Sequence, residues 1–299
     1  MNAPSDLTPD VASHLRCDVA IVGGGPAGLM AAEVLAQAGV AVHLFDAMPS
    51  VGRKFLLAGK GGLNLTHSEP HEPFASRYAG RQPQIEPLIR AFGGPEVRAW
   101  AQGLGVETFV GTSGRVFPAD MKAAPLLRAW LQRLRAQGVQ FHMRHRWLGW
   151  ADGGALRFAA SAGEVQVTAR AVVLALGGGS WARLGSDGAW WPLLQQLGVQ
   201  LAPLLPSNGG FETKWSQHFI DQCAGQPLKT AEFWLTTTPA KATKGRGKSA
   251  KAAGTQAAAA HTAHLRGECL ITEHGLEGGA IYTLSAALRD EILRNGQVT

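Results

Sequence analysis

Three glycines and one aspartate near the start of the chain have the types and spacing needed to bind a phosphate-bearing ligand. Gly23, Gly25 and Gly28 form a Gly-x-Gly-x-x-Gly pattern between an apolar, β-branched segment and a helix-favouring one. In that setting the first glycine permits a tight turn, the second lets backbone approach a phosphate, and the third permits close helix–strand packing. Asp46 follows Gly28 by 18 residues, at the place where a carboxylate binds ribose hydroxyls.

A βαβ unit is needed to position these residues, and the surrounding sequence predicts one. Residues 17–22 and 40–46 are apolar strands, and the helix between them begins at Pro26 and ends before Gly39. Proline suits the first helical turn, and glycine suits the residue just past a helix end. Apolar parallel strands are buried on both faces. The unit therefore predicts a doubly wound α/β, Rossmann-like domain, although the motif alone fits both NAD and FAD.

A second glycine-rich stretch, residues 51–69, is both basic and apolar and is expected to form no regular element. Pyrophosphate requires N–H donors and positive charge, whereas a flavin ring requires an apolar slot with a few hydrogen-bond donors. A segment with both characters suits an amphipathic dinucleotide, so FAD is favoured over NAD. The residues expected to contact FAD here are Arg53, Lys54, Gly59, Lys60, Gly61, Gly62 and Asn64. A solvated Arg–Lys pair and a turn-forming asparagine are the alternatives.

The rest of the first 200 residues predicts a helical stretch, a hairpin, a further helix and an antiparallel β-meander. The helical stretch covers residues 85–104, the hairpin 106–118 and the second helix 122–138. The meander is expected from residue 139 to about 169, and a separate buried strand over 171–180 is expected to end in a glycine turn. Gly177 and Gly178 of that turn are expected to approach the cofactor.

Composition limits the remaining possibilities. The 299 residues are 45% hydrophobic, which indicates a folded protein with room for two domains. The net charge is +6, but residues 241–251 alone carry five basic side chains, so nucleic acid is not indicated as a general partner. The scattered cysteines lack metal-binding spacing, and no metal is expected. No membrane span and no signal peptide are predicted, so a cytoplasmic location is expected.

The amino-acid composition changes near residue 201, where prolines and glycines suggest a domain boundary. We expect a first domain over residues 1–200 and a second, mainly β domain over 201–299. Residues 239–264, rich in alanine, lysine and glycine, are expected to form a flexible basic loop.

Four segments together resemble the HI0933-like (YhiN-like) family of flavoproteins. They are GRKFLLAGKGGLNLTH, SGRVFPADMKAAPLLRAW, LALGGGSWARLGSDGAWWPLLQQLG and GECLITEHGLEGGAIYTLSAALRDEI, in the family's order. The resemblance implies an FAD-binding Rossmann-like domain with an inserted, mainly β domain. It also implies FAD-dependent oxidoreduction of a small, partly apolar molecule. Family members continue past the point that matches Thr299 with a segment that returns to the FAD domain, so this chain is expected to lack that segment.

The resemblance adds to the expected cofactor contacts. Trp147 lies where the meander of this superfamily often meets adenine, with simple core packing as the alternative. The glycine turn and the first strand ends are expected to contribute Gly23, Gly25, Pro26, Ala27, Gly28, Asp46 and Ala47. The flavin would carry the hydride chemistry. No acid–base pair is evident, so the catalytic residues stay unassigned, with His67, Arg115, His218 and His274 as candidate substrate-side groups.

Three alternatives to a complete FAD-dependent oxidoreductase are open at this stage. One alternative, suggested by the basic segment, is a flavin-dependent RNA-modifying protein, although the segment lacks the aromatic side chains that stack on bases. Another alternative, suggested by the expected truncation, is a non-catalytic FAD-binding remnant. An NAD-dependent dehydrogenase would leave the segment over residues 52–64 unexplained. NAD(P)H is a candidate electron donor, but no second Gly-x-Gly-x-x-Gly motif is evident for it.

Overall fold

The computed structural model describes residues 11–58, 62–237 and 260–298. Contacts divide the chain into two compact units between Ala202 and Pro203, close to the predicted boundary. The first unit contains β1 (Val11–Val22), α1 (Pro26–Gln37), β2 (Val42–Asp46), α2 (Arg53–Leu57), β3 (Thr66–His67), α3 (His71–Ser76), α4 (Gln82–Ala91), α5 (Gly94–Gly103), β4 (Thr108–Val110), β5 (Arg115–Pro118), α6 (Ala123–Ala136), β6 (Gln140–Met143), β7 (Arg146–Trp150), β8 (Leu156–Ala160), β9 (Gly163–Leu174) and α7 (Trp190–Gln196). The second contains β10 (Phe211–Glu212), α8 (Gln217–Cys223), β11 (Pro227–Thr237), β12 (Ala260–Ile271), β13 (Gly275–Glu277) and α9 (Gly279–Asn295).

The main sheet of the first unit has the strand order β6-β2-β1-β9-β8-β7. The first four strands are parallel, and β9, β8 and β7 form an antiparallel meander. Val22 at the end of β1 pairs with Phe45 of β2 and Leu174 of β9, so three carboxyl ends meet at one edge. The predicted α/β, Rossmann-like class is therefore confirmed, and it places the glycine turn at that edge.

Two details of the predicted meander are wrong. Residues 140–143 pair in parallel with β2 and extend the main sheet, because the chain reverses at Arg144, whose φ is +60°. The predicted strands on either side of residue 170 are one continuous strand, β9. Its first half pairs with β8 but its second half pairs only with β1, so Val172 and Leu174 are each 37% exposed instead of buried.

Each face of the main sheet carries its own apolar core. On one face, Leu29 of α1 and Leu134 of α6 pack against Ile21 and Leu44, and all four are completely buried. On the other face, the meander packs over β2, and the rings of Phe45 and Phe158 stack 4.5 Å apart. The parallel part of the sheet therefore lies between a helical layer and the folded-back meander.

A buried carboxylate fastens α1 to the helices beside it. Glu33 is 2% exposed, and its carboxylate accepts hydrogen bonds from the indole N–H of Trp100 at 3.0 Å and of Trp130 at 2.6 Å. The Arg133 guanidinium donates a further bond at 2.7 Å and supplies the opposite charge. Burying a carboxylate is costly unless it is paired and hydrogen-bonded. This network meets that requirement and fixes α1 against α5 and α6.

Replacing Glu33 by alanine should destabilise the first unit strongly. The substitution removes the acceptor of the Trp100 and Trp130 indole N–H groups and the ion-pair partner of Arg133, and we expect a loss of about 3 kcal/mol in the free energy of unfolding. Urea unfolding followed by tryptophan fluorescence measures the change. Glu72→Ala, at an exposed position in α3, is the matched control and should change it by less than about 0.5 kcal/mol. Equal stability of the two variants would contradict the proposed fastening role.

Residues 51–69 are more regular than predicted. Residues 53–57 form the short helix α2, which begins after Gly52 in a left-handed conformation with φ of +67°. A Cβ at Gly52 would lie 2.7 Å from the Leu127 side chain, so this glycine lets α2 approach α6. Thr66 and His67 add strand β3 to the predicted β4–β5 hairpin, giving the order β3-β5-β4. The predicted helical stretch is also divided, into α4 and α5.

The second unit is built on an antiparallel sheet with the order β10-β13-β12-β11. Helix α9 contacts β12, where Cys269 and Ile271 are buried together with Ile281 and Leu284 of the helix. The predicted basic loop is wrong at its end, because residues 260–264 belong to β12 and pair with β11. Its residues 239–259 lie outside the described part of the chain. Within the described residues, no helix combines the length and apolar character needed to cross a bilayer.

Candidate functional site

Close backbone contacts explain two of the three motif glycines at this turn. Gly23 has a φ of +109°, and a Cβ there would lie 2.2 Å from the carbonyl oxygen of Ala175. A Cβ at Gly28 would lie 1.9 Å from the carbonyl oxygen of Gly23. At Gly25 no atom lies within 4 Å of the Cβ position. Gly23 and Gly28 are thus required by the protein's own packing, whereas Gly25 leaves open space at the start of α1.

Asp46 is held against this turn at the end of β2. One carboxylate oxygen accepts the Gly24 N–H at 2.6 Å, and the other accepts the Met48 N–H at 2.7 Å. Burial raises the pKa of the Asp46 carboxyl, while these two amides and the nearby Arg53 charge oppose the increase. The predicted ribose-binding carboxylate therefore stands directly beside the glycine turn.

A cavity of about 280 Å³ opens beside the turn. It lies between the glycine turn, the start of α2 and the segment that follows β9. Its walls combine backbone N–H groups, two cations and apolar side chains, which suits a ligand with a charged middle and a flat apolar end. The lining residues are Gly23, Gly24, Gly25, Pro26, Asp46, Met48, Ser50, Gly52, Arg53, Lys54, Phe55, Ala175, Leu176, Gly177, Gly178, Leu184, Gly185 and Ser186.

A smaller cavity of about 90 Å³ adjoins the first on the meander side. Trp147 lines it and is 8% exposed, and its indole N–H has no hydrogen-bond partner among the described residues. The indole N–H of Trp190, on α7, is also buried and has no hydrogen-bond partner among the described residues. Buried N–H groups without acceptors are rare, and a ligand with acceptor nitrogens would satisfy them. Both cavities are lined by Gly23, Asp46, Leu176 and Gly185.

Two cations from α2 lie at the larger cavity. The Lys54 ammonium donates a 2.5 Å hydrogen bond to the Ser180 hydroxyl, on the segment that follows β9. Arg53 donates a long 3.5 Å bond to the Ser50 hydroxyl, and its Nε atom is buried without a partner in the described structure. Neither cation forms an ion pair with a described carboxylate, so their charge is available to an anionic ligand.

The structure brings most of the predicted cofactor residues to these two cavities. Gly23, Gly25, Pro26, Asp46, Arg53, Lys54, Gly177 and Gly178 line the larger one, and Ala47 and Trp147 line the smaller one. Ala27, Gly28, Gly62 and Asn64 line neither. Gly59, Lys60 and Gly61 lie outside the described residues. Cofactor contact by any of these residues stays a prediction.

None of the four candidate substrate-side groups lines either cavity. The Nδ1 atom of His67 accepts the Glu69 N–H at 3.1 Å, and its Nε2 atom lies 3.0 Å from the Ser113 carbonyl oxygen, which accounts for both ring nitrogens. Arg115 is exposed on β5, beside His67. His218 and His274 belong to the second unit.

Sequence reasoning missed the segment that forms one wall of the larger cavity. Leu184, Gly185 and Ser186 lie between β9 and α7, and Ser186 donates a 3.0 Å hydrogen bond to the Gly178 carbonyl oxygen. A Cβ at Gly185, where φ is +87°, would lie 2.7 Å from the Met48 side chain. The glycine and serine content of LGSDG was the available signal. Trp190 was missed as well, since an aromatic residue on a short helix usually indicates core packing.

Comparison of the sequence with known protein families identifies the family of this chain. A profile of the HI0933-like protein Rossmann domain matches residues 17–285. The chain belongs to the HI0933-like family. The resemblance inferred from the four sequence segments is therefore confirmed, and with it the assignment to Rossmann-type flavoproteins.

Two proteins with named activities are similar to this chain. A 3-dehydro-bile acid delta(4,6)-reductase of Clostridium scindens is 28% identical over 270 residues, covering 89% of this chain and 59% of that protein. A ribosomal RNA dihydrouridine synthase of Haemophilus influenzae is 23% identical over 212 residues, covering 70% and 52%. The chain thus spans between half and three fifths of these relatives' lengths. Among solved structures, 3-ketosteroid-delta4-(5alpha)-dehydrogenase of Rhodococcus jostii RHA1 aligns over 62% of this chain and 55% of that one, with 18% identity and a TM-score of 0.49.

The residues present fit FAD by physical criteria taken from this chain alone. The open Cβ position at Gly25 leaves room for a phosphate beside free N–H groups, and the unpaired cations of α2 suit its charge. The orphaned indole N–H groups beside Asp46 suit a heteroaromatic base and its ribose. Among the described residues, no atom occupies the space beside Gly25 and no acceptor contacts these indole N–H groups.

Gly25→Val should separate folding from cofactor binding. The side chain meets no protein atom within 4 Å of its Cβ, so the melting temperature of the apoprotein should change by less than about 2 °C. The same side chain would occupy the phosphate position, and FAD affinity should fall at least a hundredfold. Gly80→Val is the matched control, because that position is equally open and lies away from both cavities. Fluorescence titration with FAD measures the loss, and undiminished binding by Gly25→Val would refute the phosphate site.

Proposed function

We propose that this protein is an FAD-dependent oxidoreductase acting on a small, partly apolar substrate. The observation that carries the proposal is the pair of adjoining cavities that share the glycine turn and Asp46. In this proposal the adenine lies at Trp147, the ribose at Asp46, the pyrophosphate at Gly25 and Arg53, and the flavin in the larger cavity.

Bound FAD would supply the transfer of a hydride equivalent, that is, two electrons and one proton, and the chain's residues would position it. Asp46 would hold the ribose because its carboxylate is fixed by two backbone amides. Arg53 would neutralise the pyrophosphate. Phe55 and Leu176 would exclude water from the larger cavity, which both residues line.

The proposed apolar character of the substrate is supported by α2. Phe55 lines the larger cavity, and the next two residues, Leu56 and Leu57, are 42% and 52% exposed. Adjacent exposed leucines beside a cavity favour an apolar ligand surface over a charged one. The relative from Clostridium scindens is named for a bile acid, a molecule with a large apolar surface, which is consistent with this proposal. NAD(P)H as the electron donor stays a prediction.

The visible absorption spectrum of the purified protein tests the proposal. We expect flavin absorption bands, and release by heat followed by chromatography should yield FAD rather than FMN. Dithionite should bleach the bands, and admission of oxygen should restore them. A colourless protein that also fails to bind added FAD would refute the proposal, whereas bound FAD that dithionite leaves oxidised would indicate a non-catalytic binding protein.

A second candidate function, flavin-dependent RNA modification, is favoured by one observation. The relative from Haemophilus influenzae is named as a ribosomal RNA dihydrouridine synthase. The five basic residues within 241–251 would then serve RNA binding. Deleting this segment should abolish RNA binding and leave the flavin spectrum unchanged if that function holds, and unaltered RNA binding would argue against it.

A further inference from the structure

The two consecutive cations of α2 occupy different parts of the larger cavity. The Arg53 guanidinium donates to the Ser50 hydroxyl, on the segment that follows Asp46, and Asp46 lines both cavities. The Lys54 ammonium donates instead to the Ser180 hydroxyl, beyond the Gly177–Gly178 turn. Arg53 is therefore the cation on the Asp46 side of the larger cavity, and Lys54 is the cation on the side of the Gly177–Gly178 turn.

This arrangement gives Lys54 a ligand partner different from that of Arg53. With adenine at Trp147 and ribose at Asp46, as in the proposed function, a dinucleotide would cross the junction with its pyrophosphate and would continue along the larger cavity, which Lys54 and Phe55 line. The group that arrives at Lys54 is then the isoalloxazine ring. Oxidised flavin takes up two electrons and one proton to give an anionic reduced form, whose negative charge lies on its N1–C2=O edge. A nearby cation stabilises this form more than the neutral oxidised one.

We propose that Lys54 sets the redox potential of the bound flavin, by placing its ammonium group at the pyrimidine edge of the ring. The inference rests on the proposed function, since it requires bound FAD. Lys54 lines the larger cavity, and the Ser180 hydroxyl that accepts its hydrogen bond is a neutral partner that leaves the full positive charge in place. Lys54 thus acts as a positioning and electrostatic residue whose effect is on the reduced cofactor.

The test is a redox titration of the FAD-loaded protein and of Lys54→Met, using dithionite and a reference dye. Removing the charge should reduce the preference for reduced over oxidised flavin about tenfold, which corresponds to a midpoint potential lower by about 30 mV for a two-electron couple. Sulfite, which adds to the flavin and makes it anionic, should bind about tenfold more weakly. Lys54→Arg, which keeps the charge, should restore most of both values.

Three further variants make the outcome specific. Lys54→Gln can still hydrogen-bond to Ser180 and should behave like Lys54→Met, whereas Ser180→Ala keeps the cation and should stay close to the unmodified protein. Lys122→Met removes an exposed lysine that lines neither cavity and should have no effect. An unchanged potential in both neutral Lys54 variants overturns the inference, and so does a shift in Ser180→Ala equal to theirs. Failure of the unmodified protein to bind FAD overturns the proposed function as well, and the visible spectrum shows this before the titration.

Discussion

The site depends on one constraint, the close approach of three stretches of backbone at the carboxyl edge of the main sheet. The Cβ positions of Gly23 and Gly28 lie 2.2 and 1.9 Å from backbone carbonyl oxygens, so neither position tolerates a side chain. Without this approach, α1 would begin farther from β9, and its first N–H groups would not face the residues after that strand. The cavity exists because β1, β9 and α1 converge at a point where only backbone fits.

Two carboxylates, Glu33 and Asp46, stabilise the positions of α1 and β2 around this point. Glu33 lies one and a half turns along α1 from Gly28 and binds two tryptophans and Arg133, so the position of the helix start is fixed from its middle. Asp46 connects the glycine turn to the end of β2 through the Gly24 and Met48 amides. The Glu33 carboxylate thus stabilises the packing of α1 against its neighbouring helices, and the Asp46 carboxylate shapes the site. Both residues belong to the same βαβ unit.

The βαβ unit could be predicted from the sequence because its signals are local. Strand hydrophobicity, Pro26 and the glycine spacing each report on neighbouring residues, and the structure has α1 over Pro26–Gln37. The contributions of α2 and of Ser186 depend instead on packing between residues far apart in the chain. Glu33 shows the same limit, since a charged residue on an apolar helix gives no indication of the two indoles that surround it.

Under the proposed function, the charge distribution along the two cavities would favour one orientation of a bound dinucleotide. At the narrow end Arg146 is paired with Asp187 at 3.0 Å, so no arginine or lysine that lines the smaller cavity lacks an ion-pair partner. At the wide end Arg53 and Lys54 have no ion-pair partner among the described residues. A dinucleotide bound in reverse would place its neutral adenine beside two cations and a larger ring system in a cavity of about 90 Å³. Under the proposed function, volume and charge would therefore select the same orientation, because the larger ring is also the one that becomes negatively charged.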